Sequence, residues 1–109
     1  MKHLLSILAL MLTLDRGVLY AELMTPAKDC PKSGRKVTFE FQRDSREPVR
    51  LRRWWVRRLG EDTAYANAKV RVWRKWRNAI TVAEGLWTVT VRDGDNVLGI
   101  AMYVVSQRD

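Results

Sequence analysis

The chain has 109 residues, 29% of them charged and 47% hydrophobic, and its 20 Lys and Arg against 12 Asp and Glu give a formal net charge of +8. That length suits one small domain, and the composition is too hydrophobic for a disordered chain. The positive excess favours anionic partners: nucleic acid, acidic polysaccharide, phospholipid headgroups or an acidic protein.

In chain order, Lys2 and His3 precede an apolar run of eleven residues, 4–14 (LLSILALMLTL). A helical membrane span needs about twenty, so the run is short for one. Asp15 and Arg16 end it, and Ala21 is a small residue suited to precede a cut, although Leu19 and Tyr20 make an imperfect cleavage site. Residues 1–21 therefore read as a secretory signal peptide, with an uncleaved anchor or a buried helix as the plainer alternatives. Cleavage there leaves 88 residues and takes away Lys2, Arg16 and Asp15, lowering the net charge by one to +7. The expected mature chain is periplasmic or secreted, has no transmembrane span and contains no histidine.

Residues 22–35 (ELMTPAKDCPKSGR) hold two prolines and small polar residues, and read as a lead-in arm or edge strand. Residues 37–42 alternate, with Val37, Phe39 and Phe41 on one side. Residues 43–48 carry turn chemistry, and 49–59 form a long strand. Residues 60–68 (GEDTAYANA) read as a loop with room for one helical turn, and 70–77 as another strand. A short strand or corner over 78–84 follows, then an alternating strand over 86–92 with Trp87, Val89 and Val91 sharing a side. Asp93-Gly94-Asp95-Asn96 is a turn signal, and 97–105 returns as a strand. Strands at this spacing predict an all-β domain over 36–109, an antiparallel β-sandwich or a barrel.

The C-terminal half carries a pattern. Gly85-x-Trp87-x-Val89-x-Val91-x-Asp93 followed by Val97-Leu98 resembles the closing hairpin of a bacterial family, domain of unknown function 2914. Trp73-Arg74-x-Trp76 is similar to its Trp-Arg-x-aromatic strand, and 39–43 with 49–56 to its aromatic hairpin. Asn96 stands where the family usually has Gly, and Arg77-Asn78-Ala79 where it usually has small polar residues and a lysine. The resemblance covers roughly residues 36–105. It implies a small immunoglobulin-like sandwich and brings no established activity, cofactor or catalytic residues.

Catalytic chemistry finds little support. Triads, zinc sites and most general-base arrangements use histidine, and His3 lies in the expected leader. No paired-cysteine motif or Gly-rich phosphate loop is present. Glu61, Asp62 and Glu84 sit in loop-like sequence, where solvated acids are ordinary, and Asp93–Asn96 suits a tight turn better than a calcium loop. The expectation is a non-enzyme without cofactor or metal. Cys30 is the one cysteine, so an internal disulfide is excluded. An exposed thiol or an intermolecular bridge, giving a disulfide-linked dimer, remains open to it.

Two windows stand out. Residues 50–58 (RLRRWWVRR) and 69–77 (KVRVWRKWR) each carry five cations, two tryptophans and no acid. Assigning the more aliphatic face of each strand to the interior leaves Arg50, Arg52, Trp54, Arg58, Arg71, Trp73, Lys75 and Arg77 outside as the candidate ligand-binding set. One reading is a structural ladder of guanidinium planes stacked on indoles. The other is a receptive surface on which indoles stack with rings and arginines grip phosphate or carboxylate. The lack of acids favours the second. The partners it suits are an anionic envelope glycan, a lipid headgroup or an acidic protein, with nucleic acid behind them and a structural subunit of an envelope assembly as a third class.

Overall fold

The computed structural model describes residues 9–30, 33–44, 47–77 and 79–106. Nine strands follow one another: β1 (Ala9–Asp15), β2 (Val18–Pro26), β3 (Arg35–Arg43), β4 (Arg50–Arg58), β5 (Thr63–Arg71), β6 (Trp73–Trp76), β7 (Ala79–Val82), β8 (Gly85–Asp93) and β9 (Asn96–Val105). One 3-10 turn, Ala27–Asp29, is the only helical element among the described residues. No helix there is long and apolar enough to cross a membrane.

The protein is all-β and antiparallel. Seven strands form one sheet in the order β1-β2-β5-β4-β3-β8-β9, rolled almost into a barrel, and β6-β7 form a separate ribbon. Strands β3, β4 and β5 form a meander and β2 returns beside β5, which is Greek-key order. The terminal strands β1 and β9 pack against each other, with the Leu10 side chain over Gly99. The core is built by strict alternation: Leu19, Ala21 and Leu23 of β2, Ala64, Ala66, Ala68 and Val70 of β5, Val37, Phe39 and Phe41 of β3, and Trp87, Val89 and Val91 of β8 are all buried. Two-residue turns close the end hairpins. Arg16 and Gly17 both have positive φ, as a type I′ turn needs, and Gly94 takes φ +63 between Asp93 and Asn96.

Three expectations change. Residues 60–68 were expected as a loop, yet Thr63–Arg71 is a strand paired with β2 along its whole length. Alanine and asparagine disfavour strands on average, but Ala66 and Ala68 lie opposite Leu23 and Ala21, where small side chains let the two halves of the core approach. The single strand expected over 70–77 is broken at Val72. Its N–H donates to the Gly17 carbonyl and its own carbonyl accepts from Ala83, so the chain turns a corner there and restarts as β6. Cys30 is buried in the core rather than exposed, and its thiol donates to the Val56 carbonyl at 3.5 Å. A bridge between two chains through Cys30 would require the core beside Val56 to open.

The N-terminal segment occupies a structural place. The first eight residues of the expected leader lie outside the described residues. Residues 9–15 and 18–26 form the β1–β2 hairpin, and β2 is hydrogen-bonded on both sides, so residues 22–26 lie in an interior strand. A boundary after Ala21 falls inside β2. Cleavage there would remove β1 and take Leu19 and Ala21 out of the core. In the full chain, Leu19→Ala is expected to lower stability by about 2–5 kcal/mol, the usual cost of a buried leucine truncation. Urea denaturation measures it, and an unchanged midpoint would place Leu19 outside the folded domain.

Candidate functional site

Strand β4 is unlike its neighbours. Val56 is its only buried residue, while Trp54 and Trp55 are both 48% exposed. Its register with β3 sets Trp54 beside Val37, Arg52 beside Phe39 and Arg50 beside Phe41. Cross-strand neighbours share a sheet face. Arg50, Arg52 and Trp54 therefore stand on the core-facing side of β4, the reverse of the assignment made from aliphatic content. Leu51 and Leu59, expected inside, are 51% and 66% exposed. Both faces of β4 are open to solvent, so Arg53, Trp55 and Arg57 belong to the same cationic surface.

The cause lies in the seam between β4 and β5. The two strands pair only at Arg57↔Tyr65 and Arg58↔Ala64, with one more bond from Leu59 N–H to the Thr63 carbonyl. Continued in that register, the ladder would set Trp54 opposite Ala68, Arg53 opposite Lys69 and Arg52 opposite Val70. A closed seam would thus bury Arg52 and Arg50 in an apolar interior and oppose two cations across the strands. Burying an unpaired ion costs several kcal/mol, whereas each added backbone hydrogen bond returns only about 0.5–1.5 kcal/mol. Desolvation wins, and the strands part toward the Arg50 end.

The parting leaves a groove of about 540 Å³ lined by Val18, Tyr20, Arg52, Trp54, Asn67, Ala68, Lys69, Val70 and Arg71. A second hollow, about 530 Å³, shares Trp54 and adds Arg53, Trp55, Arg57, Arg58, Leu59 and Tyr65. No carboxylate lines either one. The ion pairs among the described residues lie elsewhere: Arg35–Asp93 at 3.4 Å, Arg43–Glu47 at 2.7 Å and Arg92–Glu40 at 3.0 Å. At the groove's rim, the Arg50 guanidinium donates to the Arg71 carbonyl at 3.2 Å and that of Arg52 to the Leu51 carbonyl at 2.9 Å. Arg58 is held by a bond from its Nε to the Cys30 carbonyl at 3.2 Å.

The expected residues are therefore distributed as follows. Arg52, Trp54 and Arg71 meet in one groove, Arg50 closes its end, and Arg58 lines the neighbouring hollow. Arg77 is exposed in the turn between β6 and β7 with φ +57. The side chains of Trp73 and Lys75 lie outside the described residues. Tyr20 and Asn67 join the groove from positions assigned to leader and loop, and Lys69 from the start of the second cationic window. The one guanidinium-over-indole contact among the described residues is Arg50 above Trp87, at 5.4 Å to the ring centroid. Trp87 is otherwise a core residue whose indole N–H donates to the Ala83 carbonyl at 3.0 Å. A continuous Arg–Trp ladder along β4 is not what orders these side chains.

Beside the groove, Tyr65 donates its hydroxyl proton to Glu22 at 2.6 Å and accepts from the Asn67 amide at 3.2 Å. The Glu22 carboxylate, helped by burial, pushes the Tyr65 hydroxyl above its ordinary value of 10.0. No group of three or more His, Cys, Asp or Glu placed to hold a metal occurs among the described residues. What the arrangement offers chemically is fixed positive charge, exposed indoles and open strand edges.

Comparison with protein-family models, with curated proteins and with solved structures finds no match to this chain.

Two outcomes are expected. Because the folded-state pKa of Tyr65 is raised, its bond to Glu22 stabilises the fold below the ordinary tyrosine pKa, and this is lost as pH rises through the raised value. Tyr65→Phe should cost about 1 kcal/mol at pH 7–9, with the gap to the parent narrowing above a pH of about 10. Denaturation curves against pH read this out. The double variant Arg50→Val/Arg52→Val should let the seam close, raising stability and slowing amide exchange at Asn67 and Lys69. Unchanged exchange would show that the arginines do not hold it open.

Proposed function

We propose that this chain is a non-catalytic binding module that takes an anionic envelope component or an acidic protein partner on the β4–β5 surface. The observation carrying this reading is β4 itself: five arginines and two tryptophans on a strand exposed on both faces, with no carboxylate in either hollow beside it. A fold gains nothing from leaving that many like charges together, whereas a polyanion gains from each. The exposed indoles add flat apolar area for rings or acyl stems.

The architectural part of the proposal is a flattened immunoglobulin-like sandwich, with β1-β2-β5 facing β4-β3-β8-β9. Read as A-B-E facing C′-C-F-G, this order supports it, and the resemblance of residues 36–105 to domain of unknown function 2914 points the same way. Export to the periplasm or outside the cell rests on the apolar run of residues 4–14. A second reading, binding of single-stranded nucleic acid with bases stacked on the tryptophans, is favoured by the place of residues 9–26 in the sheet, because a retained N-terminus removes the main argument for export. Sequencing the N-terminus of the protein isolated from its native cells separates the two: Glu22 as the first residue supports export, and an intact start supports the alternative.

The binding test uses the full chain against heparin, phosphatidylglycerol vesicles and oligothymidylate at two salt concentrations. Affinity for at least one polyanion should fall steeply with salt, and Arg52→Gln/Arg53→Gln and Trp54→Ala/Trp55→Ala should each weaken it by about tenfold or more. No binding to any of the three or to an acidic peptide, or binding unchanged in both variants, would overturn this reading.

A further inference from the structure

The seam also exposes peptide groups whose orientation follows from strand alternation. In an antiparallel strand, N–H and C=O of alternate residues point to opposite neighbours. The Thr63 carbonyl accepts from Leu59 of β4, and the Arg71 carbonyl accepts from the Arg50 side chain. Odd-numbered residues of β5 thus direct their backbone groups at β4. On the other edge, Asp62 receives Ala27 N–H, in step with β2 pairing through the even-numbered residues. Asn67 and Lys69 then point N–H and C=O into the seam, beyond the last paired residues of β4 and β5. By the same alternation, Leu51, Arg53 and Trp55 of β4 face them, and the Leu51 carbonyl is occupied by the Arg52 guanidinium.

Two open edges therefore confront one another across a groove lined by Arg52, Lys69 and Arg71. Neighbouring strands lie about 4.8 Å apart, so one inserted strand needs roughly twice that between its flanking partners. The opening at the Arg50–Arg71 end is bridged by an arginine side chain rather than by backbone bonds. The guanidiniums occupy edge carbonyls that an incoming strand's N–H groups would otherwise take.

We infer that the β4–β5 seam is a docking slot for an extended acidic polypeptide segment, which completes the sheet by strand addition. This rests on the proposed anionic-partner function and specifies its ligand. The segment's amides pair with the edges at Asn67, Lys69, Leu51 and Arg53. Its N–H groups take over the Leu51 and Arg71 carbonyls, and the released guanidiniums of Arg52 and Arg50 turn to its carboxylates as charge-assisted hydrogen bonds. Insertion succeeds where direct closure fails because the carboxylates arrive with the strand. A nucleic acid or polyphosphate chain can satisfy the cations but cannot pair with alternating amide donors and acceptors.

The test titrates the full chain with a ten-residue peptide of alternating Glu and Thr. Two controls are the same peptide N-methylated at alternate amides, in either phase, and an oligothymidylate of matched charge. Strand docking predicts at least tenfold weaker binding for at least one methylated peptide. It also predicts at least tenfold slower amide exchange at Asn67 and Lys69 when the unmethylated peptide saturates the protein. Equal binding of methylated and unmethylated peptides, or peptide binding without slowed exchange at Asn67 and Lys69, overturns the slot while leaving a general cationic surface in place. Oligothymidylate that binds while the peptide does not also overturns it, in favour of nucleic acid. Failure of peptide, oligothymidylate, heparin and anionic vesicles alike removes both this inference and the function it rests on.

Discussion

The structure turns on the refusal of two arginines to be buried. On β4, the side of the strand aligned with Val37, Phe39 and Phe41 carries Arg52 and Arg50 where a core strand would carry aliphatic residues. Only Val56 satisfies the interior, so the pairing with β5 is held to the Arg57–Leu59 end and abandoned beyond it. Groove, exposed indoles and open peptide edges all follow from that one mismatch between strand parity and residue chemistry. A sequence that disagrees with its own fold at one strand, and agrees elsewhere, marks a place where folding is not the only demand on those residues.

The legible part of the fold was the part governed by alternation of large residues. Strands over 37–42, 86–92 and 97–105 announce themselves through Phe39, Trp87 and their neighbours, and the Asp93–Asn96 turn through its small polar residues. β5 was hidden because its buried positions are alanines, which give weak contrast against Tyr65 and Asn67. The N-terminal hairpin was hidden because an apolar run such as 4–14 has the same composition in a leader peptide and in a strand whose Leu10, Leu12 and Leu14 pack on a core. Composition cannot tell those apart; the packing of β1 against β9 is a long-range fact.

The candidate site was legible as chemistry and illegible as geometry. Ten cations and four tryptophans in two windows drew attention to β4, the strand exposed on both faces. Counting aliphatic residues per face then sent Arg53, Trp55 and Arg57 inward, because it assumed that β4 must have an interior face of ordinary length. The real constraint is the register with β3, which sets Arg52 beside Phe39. Lys69, Tyr20 and Asn67 come to the groove through β2–β5 pairing, and a sequence window has no means of bringing Tyr20 next to Arg52.

Far along the sheet, β9 presents Ile100, Met102 and Val104 outward, next to Leu86 of β8, each at least 40% exposed. Uncharged strips of this kind favour contact between copies, and net charge of one sign holds copies apart. Any polyanion that neutralises the arginine strand weakens that mutual repulsion. Covering that charge would then ease any contact between copies along β9, although no residue need connect the two regions.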